Sequence, residues 1–247
     1  MGLSYDNQPI LAEFAERAGI DFPLLADSDS SSLDKLGLVN PEGSGKSKGV
    51  AFPGIIYLAP DGTIKEAFFE DSYVVRPSAE SVLYSLVPGQ DDSELPEGQD
   101  YSLRQTGESG IVGTSWELVV EFPLPDKAHL YAPGSSYQQL ELVLEPNPYF
   151  DFGTPQYPES EVMSLEAIGE SVGVYSDLVQ IKVPVTIKKT DETAKTSSDI
   201  VTTIEGLLKY QICTDQTCYL PKEDEVTWKA TIKPLDRTRA GEQYRHE

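Results

Sequence analysis

The spacing of apolar positions changes once along this chain, between residues 88 and 113. Ahead of that change, Ile10, Leu11, Phe14 and Ala15 recur at helical intervals within residues 9–18, and Asn7 is placed to cap the helix. Residues 3–5 read as the end of a strand, 22–25 as a short apolar segment and 31–38 as a second helix. Residues 54–58 and 63–69 flank the turn Pro60-Asp61-Gly62, which predicts a hairpin, and residues 78–86 predict a closing helix. After the change, strand-sized runs dominate: 116–122, 139–144, 179–187, 200–212 and 226–232. Turn signals at Asn147-Pro148, Asp151-Phe152-Gly153 and Thr190-Asp191 separate them. This order predicts an α/β domain over residues 1–88 and an all-β sandwich over 114–240. Residues 89–113, rich in Gly, Pro, Ser and acid, read as a linker, and its six acids against one base in 91–113 favour extension.

Composition narrows the function classes. With 41 Asp+Glu against 19 Lys+Arg the net charge is −22, which excludes nucleic acid and anionic membrane surfaces as partners. A hydrophobic share of 39%, with 13 Tyr and 8 Phe, excludes a disordered polyanion. No run approaches the ~18 apolar residues of a membrane span. The opening residues show no signal peptide, and Asp6 stands where a myristoylation signal needs Ser or Thr. Gly45-Lys46-Ser47 looks like the end of a phosphate-binding loop, but Asn40 occupies the place of its first glycine. No cofactor is expected.

Two cysteines are too few for a disulfide-dense scaffold or a four-cysteine zinc site. Cys213 and Cys218 bracket a four-residue polar loop between strand-like flanks. Residues opposite each other on a hairpin have Cβ atoms ~4.5–5.5 Å apart, and a small twist brings them to the ~3.8 Å of a disulfide. So short a clip stabilises by only about 2 kcal/mol, which leaves room for redox exchange. Three other readings stay open: a structural clip, two packed thiols, and zinc held together with His129 and His246.

The run SYDNQPILAEFAERAGIDFPLLAD, followed by KGVAFPGIIYLAPDGTIKEAFFE, resembles the back half of a peroxiredoxin/thioredoxin-like (AhpC/TSA, redoxin) domain. The resemblance implies a partial thioredoxin-like α/β fold, with Pro53 at the cis-proline that packs beside a redox cysteine and offers backbone to a substrate. Residues 1–212 contain no cysteine, so the Pro-x-x-x-Thr-x-x-Cys frame is absent and peroxidase activity is not expected from this chain alone. The expectation is truncation, with an in-frame cysteine motif encoded upstream of Met1. The absent strand and helix would leave a sheet edge and an apolar face uncovered.

The string YQICTDQTCYLP, after an HLYAPG segment, resembles the N-terminal domain of the thiol:disulfide interchange protein DsbD over about residues 116–237. That resemblance implies an immunoglobulin-like sandwich in which Cys213 and Cys218 form an exchangeable disulfide. A thiolate on one attacks a partner's disulfide and the other resolves the mixed intermediate. Implied partners are a thioredoxin-like protein or a DsbD-type membrane redox protein, and the implied location is the bacterial periplasm; a cytoplasmic product stays open. His129 and Tyr131 fall where the family has two aromatics beside the pair. The family's cap loop falls on residues 165–169, where Glu166 and Gly169 fit and Ile168 replaces an aromatic. The cysteines are one residue closer than in the best-known members. Asp215 and the acidic balance raise the thiol pKa, and Glu166 adds to this or serves as a base. His129 either favours a thiolate or is an ordinary strand histidine. Tyr131, Tyr175, Tyr210 and Tyr219 are expected to pack around the pair. Tyr210, Tyr219, Ile168 and Pro53 are the candidate substrate contacts. The alternatives are a non-catalytic binding sandwich with a structural disulfide, and an inactive fragment of a peroxiredoxin-like antioxidant protein.

Overall fold

The computed structural model describes residues 1–41, 50–69, 75–86, 95, 98–135, 137–165, 170–214 and 216–238. The chain forms two units, Met1–Tyr73 with Asp236–Glu247 and Val74–Leu235.

In the first unit β1 (Gly2–Ser4) pairs in parallel with β2 (Leu24–Ala26) across α1 (Gln8–Ala18). Asn7 caps α1 by accepting the Ile10 N–H at 3.1 Å, and Gly19 ends it at φ 64°, a left-handed conformation that glycine adopts without strain. In α2 (Ser31–Lys35) the capping is done by Asp27, whose carboxylate accepts the N–H groups of Ser32 and Leu33. The Leu33 N–H bond is the main reason that the Asp27 carboxyl lies below its ordinary pKa. β3 (Gly54–Leu58) and β4 (Ile64–Phe69) form the expected hairpin, with Asp61 accepting the Thr63 N–H and Gly62 at φ 84°.

Two expectations for this unit meet a different structure. A thioredoxin-like sheet would hold these four strands side by side, but among the described residues they form two separate pairs. No peptide bond among the described residues is cis, so Pro53 follows a trans bond.

The second unit begins earlier than the change of periodicity suggests. β5 (Arg76–Pro77) pairs in parallel with β8 (Thr114–Pro123), and Ser78 N–H donates to Ser115 O. The helix α3 (Ala79–Leu86) therefore belongs to this unit and does not close the first one. The stretch read as linker also supplies strands: β6 (Ser102–Gln105) pairs with β8 and β7 (Ser109–Gly110) with β17 (Lys222–Ile232). Trp228 Nε1 donates to Arg104 O at 2.9 Å, tying β6 across to β17.

Two sheets share one core. One has the order β11 (Phe150–Phe152), β14 (Leu178–Ile187), β8, β5; the other runs β10 (Glu141–Leu144), β15 (Ile200–Tyr210), β17, β7. Strict alternation explains why they face each other. Val179, Ile181, Val183, Val185 and Ile187 of β14 are fully buried, as are Ile204 and Leu208 of β15 and Val226 and Ile232 of β17. Trp116 of β8 packs edge-on against Phe150, with ring centroids 5.9 Å apart. A helical turn, α4 (Asp191–Lys195), capped by Thr190, links β14 to β15.

A third sheet carries the cysteines, in the order β12 (Glu161–Leu165), β13 (Glu170–Ser176), β9 (His129–Tyr131), β16 (Ile212–Cys213). One face contributes Leu130, Tyr175 and Ile212 to the main core. The other face builds a small separate cluster of Tyr131, Val172, Val174 and Cys213, with Tyr137 and Met163 against it.

Candidate functional site

The site lies where β15 gives way to an excursion of the chain. Tyr210 and Lys222 form the last rung of the long β15–β17 ladder, and residues 211–221 leave and return between them. Ile212 and Cys213 pair with Leu130 and His129 of β9, so that Cys213 is held from one side. The loop turns on Thr214, whose N–H donates to Thr217 O at 2.8 Å and whose hydroxyl accepts the Thr217 N–H at 3.1 Å. That turn sets Cys213 opposite Cys218 with Cα atoms 4.0 Å apart, and the two are joined as a disulfide.

The two sulfurs occupy different environments. Cys213 is 0% exposed, within the small apolar cluster, whereas Cys218 lies at the surface. The Tyr131 hydroxyl is 3.8 Å from Cys218 Sγ. A disulfide sulfur carries no proton, so the hydroxyl is the donor. Tyr131 is stacked on Tyr137, with ring centroids 4.6 Å apart, and meets the His129 ring edge-on at 5.3 Å. Burial, and then the neighbouring Tyr137, push the Tyr131 hydroxyl above its ordinary pKa, which keeps its proton available. His129 is buried directly across the ladder from Cys213, and residues opposite each other share a face of the sheet.

Of the residues singled out in the sequence, Cys213, Cys218, His129 and Tyr131 meet on this face. Tyr219 is exposed beside Cys218, its N–H donating to Ile212 O. Tyr175 faces the main core instead, stacked on Tyr157. Tyr210 stands at the base of the excursion, its ring in the main core against Phe122 and Tyr101. Pro53 belongs to the first unit. Glu166, Ile168, Gly169, Asp215 and His246 lie outside the described residues. Among the described residues no group of three or more His, Cys, Asp or Glu side chains is placed to hold a metal ion.

Sequence reasoning passed over Tyr137 and the clamp at the base of the loop. The Tyr210 hydroxyl donates to Asp100 Oδ2 at 2.9 Å and lies 3.1 Å from Asp224 Oδ2, while Lys222 pairs with Asp100 and sits over the Tyr210 ring. Burial, followed by the two carboxylates, raises the Tyr210 pKa far above its usual value; Tyr101 is pushed up to about 12 by burial and then Asp224. Asp100 gave no sequence signal because it sits in acid-rich, linker-like sequence.

The profile of the family described as thiol:disulfide interchange protein DsbD, N-terminal, matches residues 96–230, more than half of the chain. The chain belongs to that family. The matched span runs from the strap carrying Asp100 through Trp228 and contains the whole cysteine site. No curated protein matches the chain. Among solved structures it is similar to the reduced N-terminal domain of DsbD from Neisseria meningitidis, at 19% identity and a TM-score of 0.34, covering 57% of this chain and 95% of that one. It is likewise similar to a complex of the DsbD N-terminal and PilB N-terminal domains from the same organism, at 17% identity and a TM-score of 0.34, covering 55% and 88%.

Proposed function

We propose that this chain is a thiol–disulfide exchange module acting outside the cytoplasm, passing electrons through Cys213 and Cys218 to a thioredoxin-like partner. The observation that carries this reading is the inequality of the two sulfurs. A structural clip needs neither sulfur at the surface, whereas exchange needs one within reach of another protein. In the reduced chain the Cys218 thiolate attacks the partner's disulfide, forming a mixed disulfide and releasing one partner sulfur as thiolate. The Cys213 thiolate then attacks Cys218 Sγ, which restores the Cys213–Cys218 bond and leaves the partner fully reduced. A DsbD-type membrane redox protein reloads the pair by the reverse steps.

Tyr131 donates to the Cys218 sulfur and so favours its thiolate, and His129 takes the proton that Cys213 loses as it resolves. Glu166, at the cap-loop position, serves as a base for the incoming thiol. Membership of the DsbD N-terminal family supports the exchange chemistry, the thioredoxin-like partner and the extracytoplasmic location. For residues 1–88 a redoxin-like segment is a reading of the sequence alone, since its four strands form two separate pairs among the described residues. It contains no cysteine, and so contributes no thiolate nucleophile.

Equilibration against thiol buffers tests the proposal. The pair is expected to have a potential above about −300 mV, and the Cys213→Ser chain to form a mixed disulfide with a thioredoxin through Cys218. A lower potential together with no trapped adduct would establish a structural clip.

A further inference from the structure

The two ends of the cysteine excursion are tied to a single oxygen atom. Asp100 Oδ2 accepts the Tyr210 hydroxyl at 2.9 Å and also the Lys222 ammonium. Tyr210 is the last residue before the excursion and Lys222 the first after it, and they face each other on the closing rung of the β15–β17 ladder. Asp100 comes from neither strand: it stands just ahead of β6, on the strap that pairs with β8 in the opposite sheet. The tie is sheltered and braced. The Asp100 side chain is 28% exposed, Lys222 Nζ lies 5.8 Å from the centroid of the Tyr210 ring, and the Tyr101 hydroxyl of the same strap bonds Asp224.

Beyond that rung the outer half of the excursion is held lightly. Cys218 is joined to the inner half through its neighbour, by Tyr219 N–H to Ile212 O and Gln211 Nε2 to Tyr219 O, and at the tip by the Thr214–Thr217 turn. Among the described residues no strand flanks it on the outer side. Three residues separate Cys218 from Lys222 where two separate Tyr210 from Cys213, so the outer side carries an extra residue. Leu220, within it, is 86% exposed. Once the disulfide opens, the distance between the two sulfurs therefore follows the stems. Stems that splay carry Cys218 away from Cys213, and stems pinned at their base return it. Such orientation sets the effective concentration of one group for another, which for well-held groups reaches about 10⁵–10⁸ M.

We propose that Asp100 is a positioning residue for the exchange, holding both stems so that Cys213 stays within reach of Cys218 while the bond between them is open. This role rests on the exchange reading above, and it belongs to a side chain at the base of the loop that acts through Tyr210 and Lys222. Its effect falls on resolution. In the mixed disulfide the Cys213 thiolate attacks Cys218 Sγ and the Cys213–Cys218 bond forms. The bond to the partner breaks, and the partner sulfur leaves as thiolate with the electron pair. The earlier attack, by the surface thiolate of Cys218, needs no such closure. Asp100 thus governs the second step and the equilibrium of the pair, and leaves the first step alone.

The test equilibrates the full chain with mixtures of reduced and oxidised glutathione and reads the reduced fraction by alkylation and mass. The equilibrium constant is the effective concentration of one cysteine for the other. Asp100→Ala is expected to lower it at least about tenfold, which for this two-electron couple is about 30 mV toward the oxidising side. Lys222→Met, which breaks the same tie but keeps an apolar stem over Tyr210, should lower it too. Agreement in sign separates positioning from charge, because losing an acid favours thiolates and losing a base disfavours them. Shifts of opposite sign, or none, overturn the proposal. So does an equal shift in Gln105→Ala, which frees the strap from Lys229 O away from the excursion. In the Cys213→Ser background, attack of Cys218 on dithionitrobenzoate should change less than about threefold on adding Asp100→Ala; a tenfold change removes Asp100 from resolution. Asp100→Asn, without the charge that holds Lys222, takes its place if the alanine variant does not fold. Failure of the exchange reading shows separately, as a wild-type disulfide that thioredoxin does not reduce.

Discussion

The Tyr131 hydroxyl lies 3.8 Å from Cys218 Sγ, on a ring held by Tyr137 and His129. Hydrogen bonds to a charged partner are worth about 1.5–3 kcal/mol, and about 1.4 kcal/mol is one pKa unit. Replacing Tyr131 by Phe in the Cys213→Ser background should therefore raise the Cys218 thiol pKa by about one unit. Thiolate ultraviolet absorbance against pH measures this, and superimposable titrations of the two proteins would remove Tyr131 from the chemistry.

Access should differ sharply between the two thiols. With Cys218 alone present, iodoacetamide reaches a surface sulfur; with Cys213 alone, it must reach a sulfur that is 0% exposed. The Cys213→Ser chain is expected to alkylate at least about a hundredfold faster than Cys218→Ser, since a buried thiol reacts only through local opening. Comparable rates would show that the small cluster around Cys213 opens readily.

The disulfide itself should matter little for stability. It closes a short loop across a strand pair already held by Thr214, Thr217, Ile212 and Tyr219, so replacing both cysteines by alanine should cost about 2 kcal/mol in urea unfolding. A much larger loss would mark the clip as a structural necessity and weaken the redox reading.

The Tyr210 clamp predicts alkaline sensitivity. Folding raises the pKa of Tyr101 from 10.0 to about 12, and that of Tyr210 still further. A raised pKa means that the folded protein keeps a proton which the unfolded chain has already lost. The stabilisation is complete below pH 10 and declines as pH climbs toward 12 and beyond. Thermal melts between those limits should show a falling midpoint, with the fall reduced in Tyr101→Phe. At neutral pH, Tyr210→Phe should cost about 1–3 kcal/mol, because Asp100 and Asp224 lose their shared donor.

Much of this was legible in the residues because local chemistry decides it. The Pro60-Asp61-Gly62 turn, the Asn7 cap and the alternation of Val179, Ile181, Val183, Val185 and Ile187 act over a few residues, and each reappears in the structure. Residues 102–110 were not legible as strands. Their Gly, Ser and acid content resembles a linker, and their pairing is provided by β8 and β17, which lie far away in sequence. The helix after Ser78 was assigned to the wrong unit for the same reason: its anchor, Ser115 O, lies well downstream. Asp27 as the cap of α2 escaped notice because Ser30 and Asp29 stand closer to the usual position.

The sequence by itself determined that any thiol chemistry belongs to residues 213 and 218, since no other cysteine exists and a hairpin spacing brings the two together. It did not distinguish them, because both sit in similar polar and aromatic surroundings along the chain. Only the tertiary structure decided that. β9 covers Cys213 from one side and Val172 and Val174 from β13 enclose it, while Cys218 takes the far rung of the same sheet, where no further strand is described. Burial is set by what packs alongside from distant sequence, and so one sulfur became the protected half of the bond and the other its exposed half.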